Sequence, residues 1–197
     1  DYDKIMGELA ATGAEGVGIL ADMLVPASQG ENAAVEYALN GVASFVTAAG
    51  REQLRPAVCK GLLAALARCK DDANRAFLVS QLQLCATADN AAALAAYIDD
   101  PYLGDPVLRA LISIPDSEAT LLSLARRSDL SDAQRAALAY AFGEKRTAAA
   151  EPILLGWIDG ADDATRAALY PALASCGTAA SAKALEAAAR AVDYGCD

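Results

Sequence analysis

The chain has 197 residues, 55% of them apolar, a length and composition that suit one packed domain or one repeat array. Asp and Glu number 26 against 16 Lys and Arg, for a net charge of −10, and no basic stretch is concentrated enough to displace counterions from phosphates, which excludes a nucleic-acid binder of the usual electrostatic kind. No apolar run is long enough to span a bilayer, and with no histidine the commonest general base and transition-metal ligand are missing.

Much of the apolar content is alanine, the strongest helix former. No segment shows the alternating β-branched and aromatic pattern of a strand. The chain opens inside a helical pattern and reads as a portion of a longer protein. Residues 2–12 predict a leading helix. Residues 15–25 and 32–49 predict a helix pair with a loop from Pro26 to Glu31 between them. Residues 1–50 are the irregular start of a single repeat domain covering 1–197, residues 51–192 are its regular part and 193–197 a tail.

Three segments of the regular part can be superposed: DDANRAFLVSQL at 71–82, SDAQRAALAYAF at 131–142 and DDATRAALYPAL at 162–173. A degenerate fourth copy falls between the first two. The apolar register runs Leu78, Leu108, Leu138, Leu169 and Leu82, Ile112, Phe142, Leu173. Self-similarity near 30 residues marks a repeat architecture. Asp71/Asp72, Asp105, Ser131/Asp132 and Asp162/Asp163 supply a helix-start acceptor for each copy, and the acids suit the positive helix end. A second helix set carries Leu94 with Tyr97, Leu121 with Leu124, Leu154 with Trp157, and Leu185, each set on one helical face. Turns such as Asp99-Asp100-Pro101 and Asp159-Gly160 separate the helices. A helix pair repeated at this interval must be antiparallel and stacked.

These residues resemble HEAT repeats in their short bacterial form, often called phycobilisome-lyase-type repeats. The family's second helix commonly reads Asp-x-x-x-Arg-Ala-Ala, as at Asp71 to Ala76, Ser131 to Ala137 and Asp162 to Ala168. Pro152 to Asp159 is similar to its first helix. The likeness covers residues 51–192. It departs in a period shorter than the roughly 40–47 residues of typical units, and in Asp105 standing where Arg75 and Arg135 stand. It implies an all-α, armadillo-like, right-handed superhelix of about five to six antiparallel helix pairs. The N-terminal part also resembles helical arrays that precede sugar-hydrolase-like domains in secreted Bacteroidetes proteins.

The chemistry expected of an enzyme is missing. There is no Gly-rich phosphate loop and no GxSxG elbow. Without histidine, the di-iron site of some HEAT-repeat enzymes cannot form. The acid pairs and the repeated Arg75, Arg135 and Arg166 are accounted for by capping and by ion pairs across the first turn. Cys59 and Cys69 share a face with Leu62 and Leu66. Cys85 and Cys176 occupy one register position in separate repeats, too far apart to be bridged. These four read as small core thiols, while Cys196 lies beyond the last helix. Pro171, inside a helix, reads as a source of curvature.

The resemblance implies binding on the concave face, which the second helices line. Opposite Leu78 and Leu82 fall Ser80 and Gln83, and the register continues through Ala110, Tyr140 and Pro171, with small or uncharged residues between them. This uncharged row either docks a partner, with Tyr140 as its anchor, or serves close packing of adjacent helices. The expected function is a non-catalytic scaffold for a protein or a flanking domain of the same polypeptide. No cofactor, metal, nucleic acid or membrane insertion is expected. The alternative is an accessory region of a carbohydrate-active or other hydrolase or lyase, with Tyr140 and Trp157 as rings to stack on sugar, although Trp157 sits at a repeated apolar position and reads first as core.

Overall fold

The computed structural model describes residues 2–191. The 193–197 tail and Cys196 lie outside the described residues, as does residue 192, the last of the expected regular part. Every regular element described is helical, and among the described residues no helix is long and apolar enough to cross a membrane. The chain divides into two compact units, with the boundary between Asp116 and Ser117, where the sequence suggests one repeat domain.

The first unit holds α1 (Tyr2–Ala11), α2 (Gly13–Ala21), α3 (Ala33–Phe45), a 3-10 turn (Glu52–Leu54), α4 (Arg55–Arg68), α5 (Asp72–Cys85), α6 (Ala88–Ala95) and α7 (Gly104–Ser113). Successive helices pair as α2 with α3, α4 with α5 and α6 with α7. Alternate helices also touch, α2 to α4 to α6 in one row and α3 to α5 to α7 in another, while α1 lies on α2 and α3. Val17, Leu39, Val42, Val58, Leu62, Leu78, Leu82 and Leu94 fill the interior between the rows. The second unit holds α8 (Glu118–Ala125), α9 (Asp132–Lys145), a 3-10 turn (Ala148–Ala150), α10 (Glu151–Ile158), α11 (Asp163–Cys176) and α12 (Ala179–Ala191). There α9 lies along α11 and α10 along α12, with α8, α10 and α12 each against a helix of the other row.

The three best-matched repeats are built to one gauge. Asp71, Ser131 and Asp162 are the N-caps of α5, α9 and α11, and each side chain accepts the backbone N–H of the third helical residue, Asn74, Gln134 or Thr165. All three helices then run 14 residues. Seven residues past the cap stand Leu78, Leu138 and Leu169, and eleven past it Leu82, Phe142 and Leu173, all buried. The cap fixes where the helix begins, and 3.6 residues per turn does the rest. Helix α11 runs unbroken through Pro171.

The degenerate copy departs from this gauge. Asp105 is not a cap: α7 begins at Gly104, with Leu103 at the cap position and no side-chain cap bond. The turn before it is held instead by Asp100, which accepts the N–H groups of Tyr102 and Leu103 at 2.9 and 3.0 Å. The fully buried residues of α7 are Val107, Ala110 and Leu111, while Leu108 keeps 8% exposure and Ile112 is half-buried. The interior face therefore falls one residue before the Leu108–Ile112 register, a turn of about 100°.

Two glycines let helices approach more closely than a side chain allows. A Cβ on Gly61 would lie 2.7 Å from the carbonyl oxygen of Ala14, across the contact of α4 with α2. One on Gly143 would lie 3.2 Å from the Cα of Ala172, between α9 and α11. Gly61→Ala would press on the Ala14 backbone and the Val17 Cβ, neither of which can swing aside, and is expected to destabilise by about 1–3 kcal/mol. Ser131→Ala and Asp162→Ala are expected to lose about 1 kcal/mol each. Denaturant unfolding of the three variants checks both figures.

Candidate interaction face

Repeated charged groups hold helix ends. Arg75, Arg135 and Arg166 pair with Asp72, Asp132 and Asp163 three residues before them, at 3.0, 3.4 and 3.2 Å. Arg75 reaches further than the sequence suggests. It also meets Asp100 at 2.7 Å and lies 5.9 Å from the centre of the Tyr97 ring, tying α5 to the turn after α6. Backbone N–H groups, that of Tyr102 first, and the Arg75 guanidinium hold the Asp100 carboxyl below its ordinary range. Thr165 does the same for Asp162.

A second set of contacts lies where the first helix of a pair begins and the second ends. Arg55, first residue of α4, donates to the carbonyls of Cys85 and Ala86 at the end of α5. Glu118, first residue of α8, meets Lys145, last residue of α9, at 3.3 Å. Glu151, first residue of α10, is buried and accepts from the Ser181 hydroxyl and from the backbone N–H groups of Thr178 and Ser181 at the start of α12. Arg55 at the end of α5 and Glu151 at the start of α12 each have the sign that the neighbouring helix end favours, and Lys145 suits the end of its own helix α9. The Ser181 and Thr178 donors hold the Glu151 carboxyl below its ordinary value, and burial with the Glu151 charge pushes the Cys176 thiol up.

The five residues expected on the binding row fare differently. In the first unit Ser80 is exposed, and its hydroxyl donates to the Phe77 carbonyl at 2.6 Å. Gln83 is half-buried and donates to the Ser113 hydroxyl at 3.0 Å, linking α5 to α7. Ala110 is fully buried and is not part of any surface. The one-residue phase shift of α7 turns it inward and leaves Arg109 exposed beside it, so the row is not free of charge. In the second unit Tyr140 is 58% exposed in the middle of α9, and Pro171 is exposed on α11, which packs against α9. Gly143, one turn beyond Tyr140, serves the close contact of α9 with α11. The row thus divides residue by residue between surface and packing. Trp157 is half-buried.

Leu84 and Tyr102 are also exposed within the regular part, and a further group lies in the irregular start. Tyr2 and Tyr37 stand edge to face with ring centres 6.2 Å apart, 46% and 64% exposed, and Ile5 follows Tyr2 on the same helix at 56%. Their only signal in the sequence is the i, i+3 spacing of Tyr2 and Ile5. Among the described residues no group of three or more His, Cys, Asp or Glu could hold a metal ion. Comparison with protein-family models, with characterised proteins and with solved structures finds no match.

The depressed Glu151 pKa has a definite sign. Its contribution to stability is complete above the ordinary value of 4.5 and is lost as the pH falls through the lower folded-state value. Glu151→Gln is therefore expected to melt below the wild type near neutral pH, with the difference narrowing as the pH drops below 4.5. Thermal melts of both proteins across that range test this.

Proposed function

We propose that the chain is a non-catalytic scaffold, a HEAT-like helical repeat array whose second helices present a docking face to a protein or to a flanking domain of the same polypeptide. The observation that carries this reading is Tyr140. A large aromatic ring sits 58% exposed at the centre of a 14-residue helix, next to a helix whose outer surface at Pro171 is also open. An aromatic of this size desolvated against a partner is the kind of residue that dominates binding energy.

The carboxylates support a passive role. Glu52, Asp100, Asp129, Glu151 and Asp162 all have their pKa displaced downward by hydrogen bonds and ion pairs. A general acid needs the opposite displacement. The repetition of one helix-pair plan, with alternate helices in contact inside each unit, supports the superhelical arrangement that the HEAT likeness implies.

Tyr140→Glu is expected to leave the thermal midpoint within about 2 °C of wild type, because an exposed side chain contributes little to packing. A photo-crosslinking side chain at position 140 is expected to give one defined adduct in the source cells, which a crosslinker at exposed Lys183, on α12 in the other row of helices, does not give. Excess wild-type chain should suppress that adduct, and excess Tyr140→Glu should not. A midpoint lowered by several degrees assigns Tyr140 to packing and removes the anchor.

A further inference from the structure

Cys59 and Cys85 come from facing helices, α4 and α5, and both are fully buried. Their sulfur atoms lie 3.6 Å apart. Each thiol has a further acceptor within reach: the Cys85 carbonyl lies 3.3 Å from the Cys59 sulfur, and the Gln81 carbonyl 3.3 Å from the Cys85 sulfur. Cys85 is the last residue of α5, the position that Lys145 fills in α9 and Cys176 in α11. In the first of these repeats the opposing helix supplies a second thiol.

The surroundings suit chemistry at this pair. Arg55 lies one turn before Cys59 on α4, and its guanidinium is fixed on the carbonyls of Cys85 and Ala86. The same side chain lines an open cavity of about 240 Å³ together with Thr87, Asp89 and Asp116, whose wall at Thr87 lies two residues beyond Cys85. The hydrogen bond to Cys85 pulls the Cys59 thiol down, helped by the Arg55 charge, while the same bond and burial push Cys85 up. Cys59 is therefore the thiol that ionises first, and the thiolate is the nucleophile.

We propose that Cys59 and Cys85 are a peroxide-oxidisable dithiol, which closes to a disulfide that staples α4 to α5. The Cys59 thiolate attacks one oxygen of hydrogen peroxide. An S–O bond forms, the O–O bond breaks, and the departing hydroxide takes the proton that Cys59 gave up, leaving as water. The Cys85 sulfur then attacks the Cys59 sulfenic sulfur. The S–S bond forms, the S–O bond breaks, and the oxygen leaves as water with the Cys85 proton. Two thiols are oxidised by two electrons and one peroxide is reduced to two waters.

The test uses the full chain. Hydrogen peroxide is added, the protein is denatured, remaining thiols are alkylated, and digested peptides are weighed. The expected result is one cross-link joining Cys59 to Cys85 with loss of two hydrogens, and alkylated Cys69 and Cys176. The 26-residue separation implies a thermal midpoint raised by about 10 °C, reversed by dithiothreitol. In Cys85→Ser, Cys59 is expected to stop at the sulfenic acid, trapped by dimedone. Alkylation of both Cys59 and Cys85 after peroxide overturns the proposal. So does a cross-link that lowers the midpoint, because it would show that the helices had been dragged together rather than poised.

Discussion

The bond on which the rest depends runs from the third amide of a helix to the side chain just before the helix. At Asp71, Ser131 and Asp162 this bond decides where the helix starts. Once the start is fixed, the phase of every later side chain is fixed too. Leu78, Leu138 and Leu169 then reach the interior together, and so do Leu82, Phe142 and Leu173. Helix α7 lacks the bond and loses the phase. With Leu103 at its cap, the interior face shifts to Val107 and Leu111, and a residue expected on the surface turns inward.

The third helical residue also joins one layer to the next. Asn74 accepts from the Asn32 amide at the cap of α3 at 3.0 Å, and the Thr165 hydroxyl donates to the Asp132 carbonyl in the first turn of α9 at 3.4 Å. Registration between helices is thus set at their starts by polar groups and carried along their length by leucine. At the far ends Arg55, Glu118 and Glu151 answer the helix termini and last residues opposite them. At Asp100, Glu151 and Asp162 the hydrogen bonds favour the ionised carboxylate, the form that accepts at a helix start.

Much of this was legible in the residue pattern. Caps, the apolar register, the Arg–Asp pairs of the first turn and the short N-terminal helices follow from local spacing, and local spacing is what a sequence displays. The α7 shift was not legible, because it depends on how Asp100 ties the preceding turn. Ala110 was misplaced for that reason. The approach of Cys59 to Cys85 was hidden as well. The two lie on different helices, and only the hairpin geometry of α4 and α5 brings their sulfurs within 3.6 Å. Tyr140 falls on the exposed side of α9 because the second-helix register holds there, where the cap is present.

Residue-resolved hydrogen exchange of the Asn74, Gln134 and Thr165 amides tests the capping account most directly. An amide at this position has no partner inside the helix and exchanges freely unless the cap accepts it. The account predicts slow exchange at all three, with Gln134 alone released when Ser131 is replaced by alanine. Fast exchange at these amides, in a protein whose helix interiors stay protected, would show that the helices take their phase from something other than their caps.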